Sequence, residues 1–162
     1  PTSGTTATRN VESLSYPNTN ILDDEGTLAF SFTPNGATAD YTGGGDRALI
    51  GVRGTNEDLI YIDSVSGETA VADGTSTTTV TAMPALVADT TVRLAARWSA
   101  TTSLMDIGQD TTENQVAFDG SMNKSTALRI GYSGTNRADG SYKGLSVYDI
   151  AVDDVKFLGL TT

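Results

Sequence analysis

The chain has 162 residues and a formal net charge of -10, with 20 Asp plus Glu against 10 Lys plus Arg. It contains neither Cys nor His, which excludes thiol nucleophiles, disulfide scaffolds, Ser-His-Asp relays and metals held by imidazole or thiolate. The acidity opposes binding by phosphate neutralisation, so neither nucleic acid nor an anionic membrane is an expected partner. No apolar run is long enough to form a membrane-spanning helix.

From the N-terminus, residues 1–8 are too polar to pack on their own and read as a flexible arm or linker, leaving 9–162 as a single domain of ordinary size. PTSGTTATRN carries no apolar stretch of the signal-peptide kind, and Pro1 in place of Met fits either a removed initiator or a piece of a longer chain. In the next segment Leu28, Phe30 and Phe32 alternate with Thr27, Ala29, Ser31 and Thr33, the period of a strand buried on one face. Shorter strands are predicted at 47–53, 58–62, 68–72 and 75–82. Val92, Leu94, Ala96 and Trp98 then alternate with Arg93, Ala95, Arg97 and Ser99 in the same way. Further strands are predicted at 104–107, 115–118, 128–132, 142–149 and 155–160, with turn signals such as Pro34-Asn35-Gly36, Ser66-Gly67 and Asp119-Gly120 between them. Asp153 and Asp154 either cap a short helix or start the last strand.

Composition agrees with this strand-rich reading. The sequence holds 26 Thr and 14 Ser, and its 15 Asp fall mostly beside Gly, Asn, Ser or Thr, where they suit turns. So many half-apolar strands in one chain bury their faces by packing two antiparallel sheets, and the expected fold is an all-β jelly-roll sandwich. Trp98, the only Trp, lies in phase with Leu94 and Ala96 and is expected to anchor the core rather than to stack on a sugar.

The C-terminal third carries a resemblance. Leu128-Arg129-Ile130-Gly131-Tyr132-Ser133-Gly134, then Asp139-Gly140-Ser141-Tyr142-Lys143-Gly144-Leu145-Ser146-Val147-Tyr148-Asp149, then Ala151-Val152-Asp153-Asp154-Val155, resembles the end of concanavalin A-like, laminin-G-like jelly rolls. Tyr142 stands where Ile is usual, and Val152-Asp153-Asp154-Val155 replaces the usual closing turn. Residues 7–17 with Glu25 to Pro34 look like versions of this domain found in bacteriophage virion proteins, and Leu94-Ala95-Ala96-Arg97-Trp98 resembles the family's middle strand. Every matched position has a packing or turn role, and none is catalytic.

Some relatives of this fold hydrolyse glycans with paired carboxylates. A retaining glycosidase needs two of them about 5 to 5.5 Å apart on a rigid element, and here Asp106 and Asp110 offer the nearest spacing. Both read as surface or turn residues, and Glu113 lies in a polar run. Only convergence of Asp106 with Glu113 or Asp110 in one cleft would revive that reading. No organic cofactor is implied. Calcium is the one candidate ion, since it takes six to eight oxygens and Asp23-Asp24-Glu25, Asp153-Asp154 and Asp139 are the acidic clusters that could supply some. Thr42-Gly43-Gly44-Gly45-Asp46-Arg47 has no P-loop lysine and reads as a connecting loop.

The resemblance implies a non-enzymatic virion-surface module, in capsid decoration, head fibre or tail, with other virion proteins and copies of itself as partners. The alternative is a carbohydrate-binding module for cell-surface glycans, in which Tyr41, Asp46, Tyr132, Asp139 and Tyr142, beside the Gly-rich loops, are the candidate ligand-binding residues.

Overall fold

A computed structural model describes residues 14–19, 21–52, 58–73, 83–122, 124, 127–131 and 138–162. Among these residues ten strands form two antiparallel five-stranded sheets. The first sheet has the order β1 (Leu14–Pro17), β9 (Ala127–Ile130), β3 (Arg47–Gly51), β4 (Asp58–Ile62), β5 (Thr69–Val71). The second runs β10 (Gly140–Tyr148), β2 (Glu25–Pro34), β6 (Val92–Ser99), β7 (Leu104–Gln109), β8 (Thr112–Ala117). One short helix, α1 (Asp154–Thr161), closes the chain. The jelly-roll sandwich expected from the alternation is therefore the fold observed.

The alternating residues occupy the faces assigned to them. Leu28, Phe30 and Phe32 pair in register with Ala96, Leu94 and Val92, and all six are buried in the core between the sheets. Trp98 is fully buried beside Gly26, its register partner, and its indole donates to the Leu22 carbonyl at 3.1 Å. A Cβ at position 26 would overlap the indole ring, so glycine is what admits the tryptophan here. A polar clamp crosses the core: the Thr69 hydroxyl of the first sheet donates to Gln109 Oε1 of the second at 2.6 Å, and Gln109 Nε2 donates to the Pro84 carbonyl at 2.8 Å. Both side chains are fully buried and mutually satisfied, which is the condition for tolerating amide and hydroxyl groups in a core.

The segment 155–160 departs from its predicted strand. Asp153 is extended and its Oδ1 accepts the Lys156 amide at 2.8 Å, an N-cap that starts α1. Phe157 and Thr161, four residues apart, then share the face turned to the second sheet. They rest on a row of small residues, because Ala29, Ala95 and Gly108 stand opposite one another across β2, β6 and β7. A side chain at Gly108 would come within 2.8 Å of the Thr161 methyl and 3.2 Å of the Phe157 ring. The helix thus covers part of the second sheet's outer face with a small apolar cluster of Ala29, Ala95, Val152 and Phe157. The predicted strand 75–82 and the arm 1–8 lie outside the described residues, while the four residues of β1 form a strand that the alternation does not signal.

Candidate functional site

Of the five residues singled out beside the loops, the structure brings Tyr41, Asp139 and Tyr142 together through hydrogen bonds to the 138–139 backbone. Tyr41 sits on a single 3-10 turn (Thr38–Tyr41) and is only 4% exposed. Its hydroxyl donates to the Asp139 carbonyl at 2.9 Å and accepts the Gly36 amide at 3.3 Å. Tyr142 packs its ring against Phe30 and Phe32, with centroids 6.1 and 5.0 Å away, and donates to the Ala138 carbonyl at 3.2 Å. Burial pushes both phenols up, so both remain protonated donors. Both hydroxyls tie the 138–139 backbone to the sandwich; the Tyr41 ring is buried, while the Tyr142 ring is half-buried and lines a recess. Asp46 accepts the Ser64 amide at 2.8 Å and so secures the Gly43–Gly45 loop, whose three glycines all have positive φ. Tyr132 lies outside the described residues.

The polar chemistry gathers instead on the outer face of the second sheet, beside α1. The register places Thr27, Arg97, Asp106 and Gln115 in one row across β2, β6, β7 and β8. Arg97 is the hub. Its Nε donates to Asp106 Oδ2 at 2.8 Å, Nη1 to Asp154 Oδ1 and to the Val152 carbonyl at 2.8 Å each, and Nη2 to Glu113 Oε1 at 3.3 Å. The Phe157 ring covers the guanidinium at 4.7 Å. Burial alone would lower its pKa, but the hydrogen bonds and charges of Asp154 and Asp106 outweigh that and hold it above the ordinary value. The second Asp106 oxygen accepts from Gln115 Nε2 at 2.7 Å. Thr27 completes the row by donating to the Ile150 carbonyl and accepting the Val152 amide, which pins the approach to α1.

Asp106 is thus not the surface or turn residue the sequence suggested. It is 4% exposed because its strand position faces a covered part of the sheet, and both its oxygens are engaged. Asp110 does occupy a turn, at φ 50°, where it accepts the Arg93 amide. Asp106 and Glu113 converge on one guanidinium. Burial pushes the Glu113 carboxyl up, Asp106 and Asp154 add to the rise, and Arg97 opposes it.

Next to this cluster opens a cleft of about 420 Å³, within the range of small-ligand sites. Leu104, Ala151 and Val152 give it apolar patches, while Glu25, Ser99, Thr101 and Thr102 supply carboxylate and hydroxyl groups. The Glu25 carboxylate makes no hydrogen bond or ion pair with a described residue. A second recess, of about 210 Å³, lies between the sheets and is mainly apolar, lined by Phe30, Ile50, Ile130, Tyr142 and Leu145 with Lys143 and Gly144 at the β10 bulge. Among the described residues no group of three or more acidic side chains is placed to hold a metal ion, and no helix is long and apolar enough to cross a membrane. The acidic turns have other partners: Asp23 accepts the Lys124 amide, Asp153 caps α1 and Asp154 binds Arg97.

Sequence alone gave the outward phase of Arg97 and Ser99 and named Glu25, Asp106, Glu113 and Asp154 as separate acidic candidates. That Arg97 and Ser99 meet Glu25, Asp106 and Gln115 depends on strand register, which no local pattern encodes.

No family model matches the chain, and no curated protein matches it in sequence. Solved structures do resemble it. A candidate carbohydrate-binding protein from Bacteroides ovatus superposes with a TM-score of 0.68 at 14% identity, covering 90% of this chain and 43% of that one. The heptameric SAP-like pentraxin of Limulus polyphemus gives 0.64 at 10% identity, over 93% of this chain and 75% of its own. The CBM40 of the Ruminococcus gnavus IT-sialidase, solved with α2,3-sialyllactose bound, gives 0.59 at 12% identity, over 88% of this chain and 85% of its own. None of these three is a virion protein, and the virion expectation draws no support from them. At such identities the likeness establishes architecture, and the chain shares the β-sandwich jelly-roll fold of these proteins.

Proposed function

We propose that the protein is a carbohydrate-binding module and that its glycan seat is the outer-face cleft beside α1. The observation that carries this reading is the cleft's supply of uncommitted oxygen groups, Glu25, Ser99 and Thr101, around the apolar patch of Leu104 and Val152. A sugar ring presents hydroxyls at its rim and C–H groups on its faces, and such a site answers both. The carbohydrate-binding neighbours support the reading at the level of fold, which by itself never fixes function. Asp106 and Glu113 do converge on Arg97, but only Asp106 lines the cleft, which falls short of the condition set for a glycosidase. Asp106 itself is 4% exposed, ion-paired to Arg97 and bonded to Gln115, which fits a carboxylate that organises the sheet face, so binding is favoured over hydrolysis.

The test is a glycan array run with and without calcium, using the protein and a Ser99→Trp variant that fills the cleft. Signal on at least one glycan class, reduced tenfold or more in the variant, is the expected result. Silence across the array under both conditions ends the reading.

A further inference from the structure

We infer that the outer-face cleft selects uncharged glycans and rejects sialylated and other anionic ones. This rests on the carbohydrate-binding reading and deepens it by naming the ligand class.

The inference follows from which groups in the cleft are still free. Among the described residues Arg97 is the only cation lining it. A guanidinium has five N–H donors, and four of them are committed to Asp106, Asp154, Glu113 and the Val152 carbonyl. Phe157 covers its plane. The paired fork by which arginine grips a carboxylate is therefore already occupied by the protein's own acids. Replacing one of them by a ligand carboxylate would exchange like for like and leave a protein carboxylate unpaired.

What remains open is the wrong polarity for an anion. The Glu25 carboxylate and the Gln115 carbonyl oxygen accept hydrogen bonds only, and the Ser99 and Thr101 hydroxyls can donate or accept. Three carboxylates, Asp106, Glu113 and Asp154, hold the guanidinium and a fourth, Glu25, lines the same cleft, on a chain whose net charge is -10. A ligand carboxylate would meet repulsion and no donor fork. Neutral sugar hydroxyls meet acceptors suited to them. The R. gnavus CBM40 was solved with a sialylated glycan, so a common fold would here carry the opposite charge preference.

The deciding experiment measures binding to pairs of glycans that differ only by a terminal sialate, at low and high salt. The unsialylated member should bind at least tenfold better, and added salt should narrow the gap by screening the repulsion. A Thr101→Arg variant places an uncommitted guanidinium on an exposed turn at the rim, with Thr102→Arg as a second version should the first fold poorly. Either should raise binding of the sialylated member several-fold. Equal or stronger binding of the sialylated glycans by the unmodified protein overturns the inference and leaves the carbohydrate-binding reading standing. Absence of binding to both members of every pair removes that reading, and the inference with it.

Discussion

Tyr41 and Glu113 show how differently a polar side chain can be employed once it is enclosed. The Tyr41 hydroxyl satisfies two backbone groups at once, the Asp139 carbonyl and the Gly36 amide. Tyr41→Phe leaves both without their partner and should cost about 1–3 kcal/mol of stability, read as a lower urea midpoint, while glycan binding stays within twofold. A larger loss of binding with unchanged stability would return Tyr41 to the ligand site. Glu113 is the reverse case. Its carboxyl is held above the ordinary range by burial and by Asp106, so the native state binds this proton more tightly than the unfolded chain does. The stability it contributes is present below the ordinary carboxylate pKa and is lost as pH rises through the raised value. Glu113→Gln keeps an oxygen for Arg97 and removes the repulsion. Because the side chain is 27% exposed, the effect at pH 7 should be modest, a rise of roughly 1–3 °C in the melting midpoint, with a flatter stability profile above the ordinary carboxylate pKa. A fall in the midpoint would show that the charged contact outweighs its desolvation.

Among the elements, the C-terminal helix and the central strands mark the limits of sequence reading. Strands β2 and β6 were legible because each carries an unbroken alternation, and a period of two admits one buried face. The stretch Val155-Lys156-Phe157-Leu158-Gly159-Leu160 was ambiguous, since a short apolar-rich run satisfies both periods. The capping bond from Asp153 and the flat seat of Ala29, Ala95 and Gly108 decide for helix, and only the first is local in sequence. Asp153→Ala should therefore weaken α1 by about 1 kcal/mol, with faster amide exchange at residues 157–161 and little change in the strands. Unchanged exchange there would mean that docking of Phe157 alone holds the helix. Strand β1 was missed because it is set by pairing with β9, far away in sequence, rather than by a pattern of its own.

At the scale of the molecule, the acidity divides into two populations. Most Asp residues serve turns, as expected: Asp63 accepts the Val65 and Ser66 amides, and Asp119 accepts the Ser121 amide. A smaller set, Asp106, Glu113 and Asp154, gathers on Arg97 from β7, β8 and α1. The fold class was readable because it depends on how often strands recur, whereas the cleft depends on which strands become neighbours. Residues 25, 99 and 104 come into line only when β2, β6 and β7 adopt their register.

The seat of small residues beneath α1 has a thermodynamic consequence. Ala151, Val152 and Asp154 form one wall of the cleft and are also the lead-in to the helix, so a guest in the cleft would touch the sheet and the helix lead-in together. Occupancy and helix attachment are then linked functions: whatever binds only the closed arrangement must stabilise that arrangement by the same free energy. Saturating glycan should slow exchange of the α1 amides even though no residue after Asp154 lines the cleft, and loosening the helix through Asp153→Ala should weaken glycan binding in proportion to the fraction of molecules whose helix detaches. If exchange of α1 were indifferent to a bound glycan, the cleft could not be the seat. The helix would then act as a second, reciprocal reporter of the ligand, read without any label on the sugar.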